Sequence, residues 1–137
     1  MERSLFMDSV ITDHCVLVAD SDASLTAVYE RYLKSQGLRV FVASDGIACL
    51  ETLQNVRPDV LVLDSDLLWG GADGVLSHLR DKQTLLATDV ILVTDAPPRE
   101  SAALVVPPVI ATLRKPFRLR SLLELLQARE STLSKYQ

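Results

Sequence analysis

Two short stretches carry nearly the same letters, VLVADSD at 16–22 and VLVLDSD at 60–66. Each is an apolar run that ends in a carboxylate, a serine and a second carboxylate. Brought into one crevice, Asp20 and Asp64 would repel each other unless a cation or a proton lay between them. Magnesium suits such a pair, because it takes hard oxygen ligands in an octahedron and keeps several waters. Two further apolar runs lead to Thr94 and, just past Arg114, to Lys115. A hydroxyl can hydrogen-bond a phosphoryl oxygen, and a lysine offers phosphate a point charge. An attacking carboxylate, a metal-holding acid, a hydroxyl and a lysine are the set that would form an acyl phosphate on aspartate. Any one of them is weak evidence, and the ordered set is strong.

These residues meet only if the chain sets them at one edge of a sheet. Residues 15–20, 39–44, 59–64, 89–94 and 109–114 are short, β-branched and continuously apolar, which predicts strands buried on both faces. Helical spacing fills the gaps between them. Leu25, Val28, Tyr29, Tyr32 and Leu33 predict a first helix closed by Gly37, and Ile47, Leu50 and Leu53 a second before Arg57-Pro58. Val75, Leu76 and Leu79 predict a third, with Asp73 as its N-cap, and Leu119, Leu122, Leu123 and Leu126 the last. The fourth crossover is stunted. Pro97-Pro98 and Pro107-Pro108 fence off a segment with room for about two helical turns. Right-handed crossovers between parallel strands then require an open sheet covered on both faces. In such a sheet, ligands bind outside the carboxyl ends of the strands, where Asp20, Asp64, Thr94 and Lys115 fall. The two DSD stretches are strand ends of one βα architecture, since the segments after them do not match.

The bulk numbers agree with one domain and narrow the function. A chain of 137 residues, 48% hydrophobic and with mean hydropathy +0.21, supports a packed core. Net charge is −4 and the pI about 5.1, so the basic footprint of a nucleic-acid binder is missing. The opening MERSLFMDSV lacks the apolar stretch of a signal peptide, and no later run is long enough for a membrane span. Cys15 and Cys49 lack metal-ligand spacing and read as buried thiols in a reducing, cytoplasmic setting.

The set VLVADSD, PDVLVLDSDLLWGGADGVLSHLR, VILVTDA and LRKPF resembles the receiver domain of two-component response regulators, in a chemotaxis-regulator-like form. The resemblance covers roughly Cys15 to Arg129. It implies a flavodoxin-like, doubly wound α/β fold with sheet order 2-1-3-4-5. The implied division is an extension at 1–14, the receiver at 15–130 and a tail at 131–137. By the same likeness Asp64 is the phosphoacceptor, Thr94 and Lys115 contact the phosphoryl group, and magnesium is held by Asp20, Asp64 and the backbone carbonyl of Asp66. The partners implied are a histidine kinase or phosphotransfer protein and a downstream protein target, with no nucleic acid and no membrane. With no output domain, the chain is expected to signal by binding and not to be an enzyme in its own right. Lys115-Pro116 is expected to be cis.

The chain departs from that family at several points. Ser21 stands where a second acid is usual, which should weaken magnesium binding. Asp22 is read as a helix cap and not as a replacement for that acid. Asp95 follows the threonine where a small residue is usual, and is expected to point outward. Thr112 holds the place of an aromatic switch, and Leu68 the place of a proline in a slightly longer loop. Trp69 either covers the pocket, anchors a partner or folds back on its own loop. His14 and His78 read as surface histidines. Arg114, Arg118 and Arg120 form either a salt-bridged homodimer face or a solvated set, and Leu125 and Leu133 lean towards an interface. Two alternatives stand beside the phosphorylated receiver. One is an interaction module of the same fold without phosphate chemistry. The other is a haloacid-dehalogenase-like phosphatase, which lacks its downstream acidic pair because only Glu124 and Glu130 follow Lys115.

Overall fold

The computed structural model describes residues 14–82 and 87–135. The strands are β1 (Cys15–Ala19), β2 (Arg39–Ala43), β3 (Val60–Asp64), β4 (Asp89–Thr94) and β5 (Val109–Arg114). The helices are α1 (Ala23–Ser35), α2 (Gly46–Val56), α3 (Gly71–Asp81), α4 (Pro98–Ser101) and α5 (Leu119–Lys135). All strand pairs are parallel and the order is β2-β1-β3-β4-β5, the doubly wound arrangement expected. A 3-10 turn at Ala102–Leu104 extends the stunted α4.

The central strands sort their residues by face. Val16, Val18, Val60, Val62, Ile91 and Val93 pack with Tyr29 and Leu33 of α1 and Leu122, Leu123 and Leu126 of α5. Leu17, Leu61, Leu63 and Leu92 pack with Cys49 and Leu53 of α2 and Val75, Leu76 and Leu79 of α3. This alternation follows from the two-residue repeat of a strand, and a helix pair covers each side. Both cysteines are buried and unpaired, and burial pushes the Cys49 thiol up to about 12.

Several sequence expectations shift. The edge strands β2 and β5 are not buried on both faces, because each has a neighbour on one side only. Val28 and Ile47 are solvent-exposed, and the buried stripes run through Thr26, Tyr29 and Leu33 and through Gly46, Cys49 and Leu53. Asp73 is not the cap of α3. Gly70, with φ 103, lets the chain enter the helix earlier, and Asp73 sits in the first turn, where its charge suits the macrodipole. Leu125 packs against the core instead of standing free, and the side chain of Leu133 lies outside those described. Arg114, Arg118 and Arg120 are exposed and, among the described residues, make only a loose Arg120–Glu124 pair, as a solvated set would.

Other expectations match. Gly37, with φ 93, closes α1 in a Schellman pattern in which Leu38 N–H donates to the Leu33 carbonyl. Asp22 Oδ1 accepts from Leu25 N–H and caps α1. Lys115-Pro116 is cis. His14 is not a free surface residue, however, since its Nε2 lies 2.6 Å from Glu130 Oε1. Nearby, Arg129 Nε donates to Asp89 Oδ2 at 2.7 Å, which fastens α5 to the amino-terminal edge of the sheet. His78 is only partly buried, and its Nε2 has no hydrogen-bond partner among the described residues.

Candidate functional site

Four strand ends build the site. β1 lies beside β3 with Ala19 opposite Leu63, so Asp20 and Asp64 emerge side by side. Thr94 ends β4, and its carbonyl accepts from Lys115 N–H at 2.8 Å, which brings the residue after β5 to the same edge. Asp20, Asp64 and Thr94 are all buried.

A shared local device orients them. Asp20 Oδ1 accepts from Asp22 N–H at 2.9 Å, and Asp64 Oδ1 from Asp66 N–H at 3.2 Å. Thr94 Oγ1 accepts in the same way from Ala96 N–H at 3.0 Å. Short polar side chains readily bond the backbone two residues on, and this pins each group at a turn. Lys115 Nζ reaches in to 3.2 Å from Asp64 Oδ1 and 4.0 Å from Asp20 Oδ2.

One ammonium therefore serves two buried carboxylates, and negative charge is left over. Burial raises the Asp20 carboxyl above its ordinary range. The Asp22 amide opposes that shift, the Asp64 charge adds to it and Lys115 counters it. For Lys115, burial alone would lower the ammonium. The Asp64 hydrogen bond and the charges of Asp64, Asp20 and Asp66 outweigh burial and hold it above its usual value. Among the described residues no three His, Cys, Asp or Glu side chains converge as a metal site. The two carboxylates with a backbone carbonyl still fit magnesium, which fills its remaining positions with water.

The other singled-out residues fall into place around this pocket. Asp95 and Thr112 are exposed, so Asp95 does not crowd the pocket. Trp69 is 70% exposed, which rules out its folding back as a covered ring. Ser21 Oγ accepts from Leu68 N–H at 3.1 Å, a contact the sequence does not announce. Two further residues escaped the sequence reading. Tyr29 was legible only as a core position, yet its hydroxyl is held un-ionised by burial and then by the Asp20 and Asp64 charges, and its ring lies 6.1 Å from Phe117. Gly46 abuts the carbonyl of Trp69, and only its place after the capping Asp45 hinted at a role.

Known proteins share this architecture. A receiver domain of a Francisella response regulator superposes with TM-score 0.76 at 24% identity, covering 86% of this chain and 99% of that one. A CheY-like receiver domain protein from Methanospirillum hungatei gives 0.79 at 19% identity, covering 90% and 98%. In sequence, the transcriptional regulatory protein PrrA of Mycobacterium tuberculosis is 39% identical over 61 residues, 44% of this chain and 26% of that protein. The DNA-binding response regulator MtrA of the same species is 35% identical over 60 residues. The chain thus spans about a quarter of the length of these relatives. Their names remove the ground for excluding nucleic acid from charge alone. No helix among the described residues is long and apolar enough to cross a membrane. Residues 16–127 match the response regulator receiver domain, and with strand order and strand-end groups in agreement, the chain belongs to that family.

Proposed function

We propose that Asp64 accepts a phosphoryl group from a phosphohistidine on a partner kinase or phosphotransfer protein, or from a small phosphodonor, and that residues 15–130 then signal through protein contacts in the cytoplasm. The supporting observation is Lys115 Nζ at 3.2 Å from Asp64, with buried Asp20 in the same pocket. A carboxylate oxygen of Asp64 attacks phosphorus. The O–P bond forms as the P–N bond to the donor imidazole breaks, and the electron pair returns to that nitrogen. Lys115 pairs with the arriving phosphoryl oxygens, and the Thr94 hydroxyl donates to one of them. Receiver domains generally bind magnesium at the acidic pocket. Here Asp20, Asp64 and the Asp66 carbonyl would hold it, and it would offset charge on the phosphoryl oxygens.

A second reading, an interaction module without phosphate chemistry, is favoured by one observation: the Ser21 hydroxyl is engaged with Leu68. The phosphatase reading gains nothing, since Glu124 is exposed on α5 and Glu130 faces His14. Incubation with acetyl phosphate and magnesium followed by intact-mass measurement separates the first two. The expected result is a gain of one phosphoryl group in the parent and none in Asp64→Asn. An unmodified parent at saturating donor and metal would establish the interaction module instead.

A further inference from the structure

The peptide of Leu68 is held from both ends. Its N–H donates to Ser21 Oγ at 3.1 Å, which joins the loop after β3 to the loop after β1. Its carbonyl accepts at 2.8 Å from the N–H of Gly46, the first residue of α2. A Cβ at position 46 would run into the Trp69 carbonyl oxygen, so a missing side chain lets the loop lie against α2. The chain then reaches α3 through three left-handed residues, Trp69 (φ 54), Gly70 (φ 103) and Gly71 (φ 65). For a tryptophan that conformation persists only where its surroundings impose it. Core packing anchors the flanks, since Leu67 and Ala72 are buried, but it does not reach the turn itself, where Leu68 and Trp69 are 57% and 70% exposed. Between those flanks, the two hydrogen bonds of Leu68 are what hold the turn.

We infer that Ser21 is a positioning residue whose hydroxyl clasps the Leu68 amide and so sets the loop that carries the Asp66 carbonyl beside Asp64. Two departures that look unrelated in sequence, a serine at 21 and a leucine at 68, form one device. A proline at 68 would have no N–H to donate, and an alanine at 21 would have nothing to receive it. Leu67 N–H also bonds the Asp64 carbonyl at 3.1 Å, so the segment from the acceptor to the clasp is a closed turn. Leu67 is itself buried, so the Asp66 carbonyl is held from the core side by Leu67 and from the loop side by the clasp. The metal-positioning part rests on the reading of Asp64 and its magnesium given above, whereas the clasp itself does not.

The test uses the intact chain, whose only tryptophan is Trp69. Without metal or donor, Ser21→Ala is expected to speed amide hydrogen exchange at Leu68 about tenfold, the worth of one net hydrogen bond. It also lowers Trp69 fluorescence anisotropy. Ser21→Thr keeps a hydroxyl and restores both readouts. Leu68→Pro lowers the anisotropy as Ser21→Ala does, and the double variant is no looser than either single one. Parent-like exchange and anisotropy in Ser21→Ala, or no rescue by threonine, overturns the clasp. In magnesium titrations Ser21→Ala binds several-fold more weakly than Ser21→Thr. Equal affinities, with the loop readouts shifted, overturn the positioning of Asp66. Failure of the parent to gain a phosphoryl group would refute the Asp64 reading while the loop readouts still stand.

Discussion

Asp20 carries a charge that the fold resists, because burial is the largest influence on it and raises its carboxyl. A raised folded-state value means that the folded chain keeps the proton at pH values where the unfolded chain has lost it. Stability therefore declines as pH climbs from the ordinary carboxylate range through the raised value, and the cost is complete above it. Asp20→Asn removes that cost. In metal-free buffer its unfolding midpoint should lie a few degrees above the parent at pH 7.5, with the gain fading near pH 4. A gain of equal size at both values would assign it to something other than ionisation. The neighbouring Ser21 offers the complementary change. Ser21→Asp should tighten magnesium about tenfold in calorimetric titration, because ligand charge tunes affinity at oxygen sites. An unchanged constant would show that position 21 does not face the ion. Asp20, Asp64 and Thr94 were legible because each one ends an apolar run, and Lys115 because it follows the last strand directly; a strand end in an open parallel sheet is a predictable place. The Ser21–Leu68 and Gly46–Trp69 contacts were not legible, since they depend on how separate loops meet above the sheet.

The same limit appears in whole elements. β1, β3 and β4 are buried throughout or nearly so, as their apolar runs require. β2 and β5 have similar runs yet lie at the edges, because composition does not reveal how many neighbours a strand has. Helix positions slipped for a related reason. The stripe in α2 uses Cys49 and Leu53, whereas Ile47 looked as apolar but points away from the sheet. For α5 the leucine stripe was readable, but the polar fastening beneath it was not. The Arg129 side chain is 12% exposed and donates to Asp89, and its Nη2 also reaches the Asp59 carbonyl at 3.5 Å. Arg129→Ala leaves Asp89 without that donor and should cost about 1.5 kcal/mol in urea unfolding, within the range for hydrogen bonds to charged groups. The urea slope should stay unchanged. A loss below about 0.3 kcal/mol would place the pair with ordinary surface ion pairs.

On the scale of the whole molecule, the sheet divides two jobs between its edges. The amino-terminal edge carries the Arg129–Asp89 fastening, with His14 close beside Glu130, and the carboxyl edge carries the pocket. Among the described residues, the pocket's own aspartates are the buried charges, and the two apolar layers between the edges hold none. Core stability and ion binding should then be separable. An ion that binds only the folded state adds stability by mass action, about 2.7 kcal/mol at a hundredfold excess over its Kd. Leu33 is fully buried in the last turns of α1, at the end of that helix away from Asp20. Leu33→Ala should lower stability by about 2–5 kcal/mol, the range for such core truncations. The increment from magnesium should be the same in Leu33→Ala as in the parent, because distant sites without shared partners add. It should vanish in Asp64→Asn, whose core is untouched. Denaturant curves with and without magnesium on the three proteins check this. An increment that shrinks with Leu33→Ala would mean that ion binding reshapes the α1 layer and does not act at the carboxyl edge alone.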